Sequence, residues 1–250
     1  MASWTDDWNV RYGRPRGSIE LPVRERFDVR KWAKEIARGV LAPGAPKEQV
    51  AALADALAEA TLDSRRRDPV SAVFFCPDPA LGELARIEVS DYVPDGAYPE
   101  ITLPMMAEWL SSPTRQSVRP AEVTYVDLPI GPAVQVRHQY VAAGPGGPGA
   151  SAVPQGGGAG NGETDRDGGN GENAGNGGDA GNGGNGGDAG NGGDGDEGLG
   201  RIVQTCAYAA RPPEIGAVVL LMASWQALAY SDQLFDLTAR IAQMLRLERK

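Results

Sequence analysis

Between Gly144 and Gly200 the chain is a Gly/Asn/Asp tract, and any fold has to be assembled around it. Its 57 residues hold 26 of the 34 glycines, the other eight being at 13, 17, 39, 44, 82, 96, 131 and 216, and it contains no Phe, Trp, Tyr, Ile or Met. Such a composition buries too little apolar surface to offset the entropy of ordering its backbone, so a disordered insert is expected. The tract also carries nine acids against one base, Arg166, which is −8 of the formal net charge of −9. The acidic balance therefore belongs to the insert, and the other 193 residues are nearly neutral.

Those 193 residues suffice for one domain, 1–143 and 201–250, interrupted by the insert at 144–200. A near-neutral domain offers no global field for nucleic acid or an anionic membrane. Arg65-Arg66-Arg67 is followed at once by Asp68 and reads as a solvated turn rather than a binding patch. The start, Met1-Ala2-Ser3-Trp4, has neither the basic nor the apolar region of a signal peptide. The longest apolar run, Ala217 to Ala223, is far shorter than the roughly 20 residues of a membrane span. Cys76 and Cys206 lie in apolar strand-like stretches and read as buried thiols. A cytoplasmic location is expected.

Helical signals come early. Asp28 caps a segment with Val29, Trp32, Ala33, Ile36, Ala37 and Val40 at helical spacing, stopped by Gly39 and Pro43-Gly44. A second helix opens at Pro46 and carries Val50, Leu53, Ala54, Leu57 and Ala58 on one face. Strands follow over 71–76 and 84–92, the latter alternating Ile87 and Val89 with Arg86, Glu88 and Ser90. A helix starts near Pro104, and further strands are expected at 123–128, 134–141, 202–209 and 218–223. An amphipathic helix from about Ser231, with Leu234, Phe235, Thr238, Ile241, Ala242 and Leu245 inward, ends the chain. The insert thus falls between two consecutive strands, as a hairpin loop swollen to 57 residues.

No catalytic motif emerges. Gly183 to Asn191 is similar to the calcium nonapeptide of RTX β-rolls, but Gly190 stands where that repeat needs a large apolar residue. Gly144-Pro-Gly-Gly-Pro-Gly149 matches G-x-G-x-x-G without the helix that a dinucleotide site requires. His138 is the single histidine and alternates with Val134, Val136 and Tyr140, as a hydrogen-bonded sheet residue would. No serine-hydrolase elbow, phosphate loop or zinc-protease motif occurs, and neither cofactor nor metal is expected. Asp91, Asp95 and Glu100 flank a loop with Tyr92 and Tyr98 that suits a sugar or a peptide. Trp4, Trp8 and Tyr12, spaced by four, would line one side of a short helix as partner anchors.

The expected architecture is α+β, with helices covering an antiparallel meander of about six strands. Its last elements, 134–141, 202–209, 218–223 and the helix after Ser231, make the order resemble the PsbP-like α/β/α sandwich over roughly Leu84 to Leu247. That resemblance implies an accessory or partner-binding protein of a bacterial assembly, with no functional residue carried over. The expectation is a non-catalytic cytoplasmic adaptor, binding protein through the sheet edge or through Trp4, Trp8, Tyr12, Tyr92 and Tyr98. The alternative is a small-ligand or carbohydrate-binding protein using the sandwich cleft, with weak hydrolase activity.

Overall fold

The computed structural model describes residues 7–95, 99–112, 116–142 and 201–250. In chain order the elements are β1 (Trp8–Arg11), β2 (Ser18–Leu21), α1 (Val29–Val40), α2 (Lys47–Arg67), β3 (Ser71–Phe75), β4 (Ala85–Tyr92), α3 (Leu103–Ser111), β5 (Glu122–Leu128), β6 (Gly131–Ala142), β7 (Arg201–Ala210), β8 (Val218–Trp225), α4 (Ser231–Gln243) and β9 (Arg246–Arg249). A 3-10 turn, Leu228–Tyr230, leads into α4.

The expected helices form where local signals placed them. Asp28 accepts the Lys31 amide as the N-cap of α1, and Thr102 does the same for Met105 at the head of α3, with Pro104 in the first turn. Residue Asp68 closes α2 in a left-handed conformation at φ 50°, which turns the chain at once toward β3.

Among the described residues, seven strands form one antiparallel sheet in the order β2-β3-β4-β8-β7-β6-β5, and β1 pairs with β9 in a separate ribbon. The expected meander of about six strands needs correcting. Two meanders, β2-β3-β4 and β5-β6-β7-β8, join where β4 pairs with β8, so strands distant in sequence make the centre. Cross-strand register divides the side chains into two faces. On one face Ile87, Val89, Cys206, Tyr208, Leu221 and Ala223 pack under α4. The opposite face holds two separate cores. Leu21, Ala72 and Phe74 lie under α1 and α2, whereas Val134, Val136, Ala207, Ala209 and Leu220 lie under α3. Helices therefore cover both faces, α4 on one and α1, α2 and α3 on the other. Cys76 and Cys206 are buried free thiols in different cores; burial first of all raises each thiol to about 11.

Two terminal expectations also fail. The segment carrying Trp8 and Tyr12 is strand rather than helix, with Trp8 opposite Arg249 and Val10 opposite Leu247. Residues spaced by four share a face in a strand as well as in a helix, and the β9 partner decides between them. For the same reason the last helix stops at Gln243, and residues 246–249 are strand. Leu245 nonetheless keeps its inward place and is fully buried.

The expected disordered insert lies outside the described residues. Its attachment points are described: Ala142 is the register partner of Arg201 at the end of the β6–β7 ladder. Replacing residues 143–200 by Asn-Gly should therefore close a two-residue hairpin without moving either strand. Shorter loop closure should raise the unfolding free energy by about 2–3 kcal/mol, measurable by urea titration with an unchanged m-value. A variant less stable than the parent would refute the insert as a passive connection.

Candidate functional site

Helices α1 and α2 sit over β2 and β3, and α3 sits over β6 and β7. Between α2 and α3 the same sheet face forms an open groove of about 640 Å³. One wall is a single stripe of α2, where Ala56, Ala60, Asp63 and Arg67 recur at helical spacing. Leu110 of α3 lies on the other side. The floor alternates along the strands: Met222 and Ser224 from β8, Thr205 and Ala207 from β7, His138 and Tyr140 from β6.

Arg67 was expected in a solvated turn. Instead it occupies the last turn of α2 and points into the sheet. It donates to Glu88 from Nε at 2.9 Å and from Nη2 at 2.7 Å, and to Asp63 from Nη1 at 2.6 Å. Glu88 is only 4% exposed and also accepts from Ser64 Oγ at 2.5 Å. Arg86 donates to Asp63 at 2.5 Å and to both oxygens of Glu83 at 2.9 and 3.0 Å. Burial pushes the Asp63 carboxyl up, but Arg67, Arg86 and Arg66 outweigh it and hold the group below its ordinary value. For Arg67, burial works against its charge, yet the Glu88 and Asp63 carboxylates raise its pKa overall. The alternation of Arg86, Glu88 and Ser90 suggests a solvent face; α2 covers it, and ion pairing makes that burial tolerable.

His138, in the same groove, is a hydrogen-bonded sheet histidine as its spacing predicts. Its Nε2 is 2.9 Å from Ser117 Oγ, its ring lies 5.8 Å from that of Tyr140, and burial lowers its pKa. Ser117 bridges to Tyr140 in the backbone, so the pair fastens residues 116–118 along β6. Among the described residues, no group of three His, Cys, Asp or Glu side chains is arranged to hold a metal.

Among the described residues, the sequence-predicted anchors Trp8 and Tyr12 do not come together with Tyr92. Trp8 and Tyr12 are partly buried against the core beneath α4, and Tyr12 Oη is 2.9 Å from Ser71 Oγ. Burial, and next Asp91, push the Tyr92 hydroxyl up to about 12, and its ring packs on the α3 core instead. Trp4 and Tyr98 lie outside the described residues. Glu100, from the same loop, pairs with Arg211 at 2.9 Å. Periodicity points to neither the groove nor its ion network, because both depend on which strands become neighbours.

No helix of the described residues is long and apolar enough to cross a membrane. No known family model matches the chain, and it has no significant match among curated proteins.

Proposed function

We propose that this chain is a non-catalytic adaptor whose partner protein seats a segment in the groove between α2 and α3. The observation that carries this reading is the uneven covering of the sheet, which leaves Thr205 of β7 and Met222 and Ser224 of β8 partly exposed between the two helices. The central charges of the groove already neutralise one another, Asp63 with Arg67 and Arg86, and Glu88 with Arg67. They offer little to orient a small charged molecule. What remains available is a mixed surface of Ala56, Met222, Leu110 and hydroxyl groups, which suits shape-matched docking of a polypeptide. The resemblance of element order to PsbP-like proteins supports the same class of role, in a bacterial assembly. Buried free thiols suit a cytoplasmic setting.

The test compares the parent with Ala56→Trp, which fills the groove from its partly exposed α2 wall, and with Leu81→Ser on a distant loop. A stoichiometric partner isolated from native cells should be held by the parent and by Leu81→Ser but lost by Ala56→Trp. Retention by Ala56→Trp would place the partner elsewhere. The cleft-binding alternative draws on the hydroxyls of Tyr140, Thr205 and Ser224. It predicts instead a melting shift with a small neutral ligand, since a ligand at 100 times its Kd adds about 2.7 kcal/mol.

A further inference from the structure

We propose that β5 is the dimerisation strand, pairing antiparallel with β5 of a second copy to make one continuous sheet. This inference does not depend on the groove. Among the described residues β5 is the last strand on its side of the sheet, and its first four residues are all exposed. Sheet edges are usually guarded by brevity, Lys, Pro or a bulge. In β5, residues 122–128 contain no Lys, Arg or Pro, and the register with β6 runs unbroken through seven pairs; its charges are two acids, Glu122, which Arg119 meets at 3.6 Å, and Asp127. The other edge, β2, is guarded. It has only four residues and stops at Pro22.

The backbone determines which groups are free. Arg211 N–H donates to Pro132 O across to the β7 side, so even-numbered residues of β6 face β7 and odd-numbered ones face β5. Val118 N–H to Gln139 O and Val141 N–H to Gln116 O agree with this parity. The β5 partners of the odd residues are Glu122, Thr124, Val126 and Leu128. The N–H and C=O groups of Val123, Tyr125 and Asp127 therefore point away from the sheet; the Asp127 C=O accepts from Gln243 Nε2 at 3.5 Å, so Val123 and Tyr125 carry the pairing. Val123 and Tyr125 also carry the exposed apolar side chains, 41% and 59% accessible.

A two-fold axis through Thr124 places Val123 opposite Tyr125 of the second copy, twice over. Each of these pairs exchanges both backbone hydrogen bonds and sets a β-branched side chain against an aromatic one. Glu122 then faces Val126 and Asp127 faces Ala121, so no two acids meet. An axis through Tyr125 would set Asp127 against Val123, and an axis through Val123 would leave Tyr125 against Ala121. The self-complementary pattern is what selects a second copy as occupant over an unrelated strand.

Sedimentation equilibrium across a dilution series should give twice the 26.3 kDa chain mass at the concentrated end. Tyr125→Pro removes an outward N–H and no bond to β6; Tyr125→Lys adds an edge charge. Each should weaken the dimer at least tenfold while circular dichroism stays native. Thr124→Cys tests the register, because residues at the axis form a close non-hydrogen-bonded pair within disulfide reach. It should cross-link under mild oxidation, whereas Val126→Cys should not. A monomer at every concentration, a dimer indifferent to both Tyr125 variants, or cross-linking at Val126 in preference to Thr124 would overturn the proposal.

Discussion

Replacing Arg67 with Met is expected to lower the unfolding free energy by about 3–5 kcal/mol. Glu88 is the reason. Its side chain is 5% exposed, and without Arg67 it keeps only the Ser64 hydroxyl as a described side-chain partner. Loss of one member of a buried pair leaves an uncompensated charge, whereas loss of both does not. Arg67→Met with Glu88→Leu should therefore recover most of the deficit. If the double variant were as unstable as the single, the cost would lie in packing rather than in charge. A pH titration gives a second reading of the same network. The native Asp63 carboxyl lies below its unfolded value, so its contribution is complete above the unfolded value and vanishes as pH falls through the lower native one. Asp63→Asn should flatten the acid limb of the stability curve and leave its slope near neutrality unchanged.

Trp225→Ala should cost a similar amount, about 3–5 kcal/mol, through a different mechanism. Trp225 is 3% exposed and meets the Phe235 ring edge-on, centroids 4.9 Å apart at 78°. It is one of the strand residues on which the α4 layer is seated. Its Nε1–H also donates to Gln204 Oε1 at 2.9 Å, and Ser231 Oγ donates to the same oxygen. Truncation removes the ring, the aromatic contact and one of the two donors to a buried carbonyl. Trp225→Phe keeps most of the apolar area and should cost only about 1 kcal/mol, the worth of one replaceable hydrogen bond. Urea unfolding followed by circular dichroism separates the two variants. Equal losses would mean that the hydrogen bond, not the ring, holds α4 in place.

Much of the fold is legible in local pattern. Capping at Asp28, the proline near the head of α3, the apolar face of α2 and six of the strands all follow from residues within a few positions of one another. The remainder is legible only through partners. β1 and β9 exist because they pair with each other, and Trp8 and Tyr12, four residues apart, satisfy strand and helix spacing equally well. The groove is the same problem on a larger scale. Asp63, Arg67, Arg86 and Glu88 look like ordinary surface charges until β4 finds β8 and α2 is laid across them. His138 is the exception, since alternation alone marks it as a sheet residue, and Ser117 then supplies its hydrogen bond.

The junction of β4 with β8 also sets a timetable for synthesis. Tyr92 ends β4 about 125 residues before Val218 begins the strand that covers it. At about 5–20 residues per second, a nascent chain holds the β4 edge unpaired for roughly 6–25 s. The β2-β3-β4 half can close its core under α1 and α2 in that interval while its open edge waits for a strand still inside the ribosome. Translation speed through residues 143–200 therefore governs how long this edge is open to mispairing, and slow codons there should lower the yield of folded protein without changing its sequence.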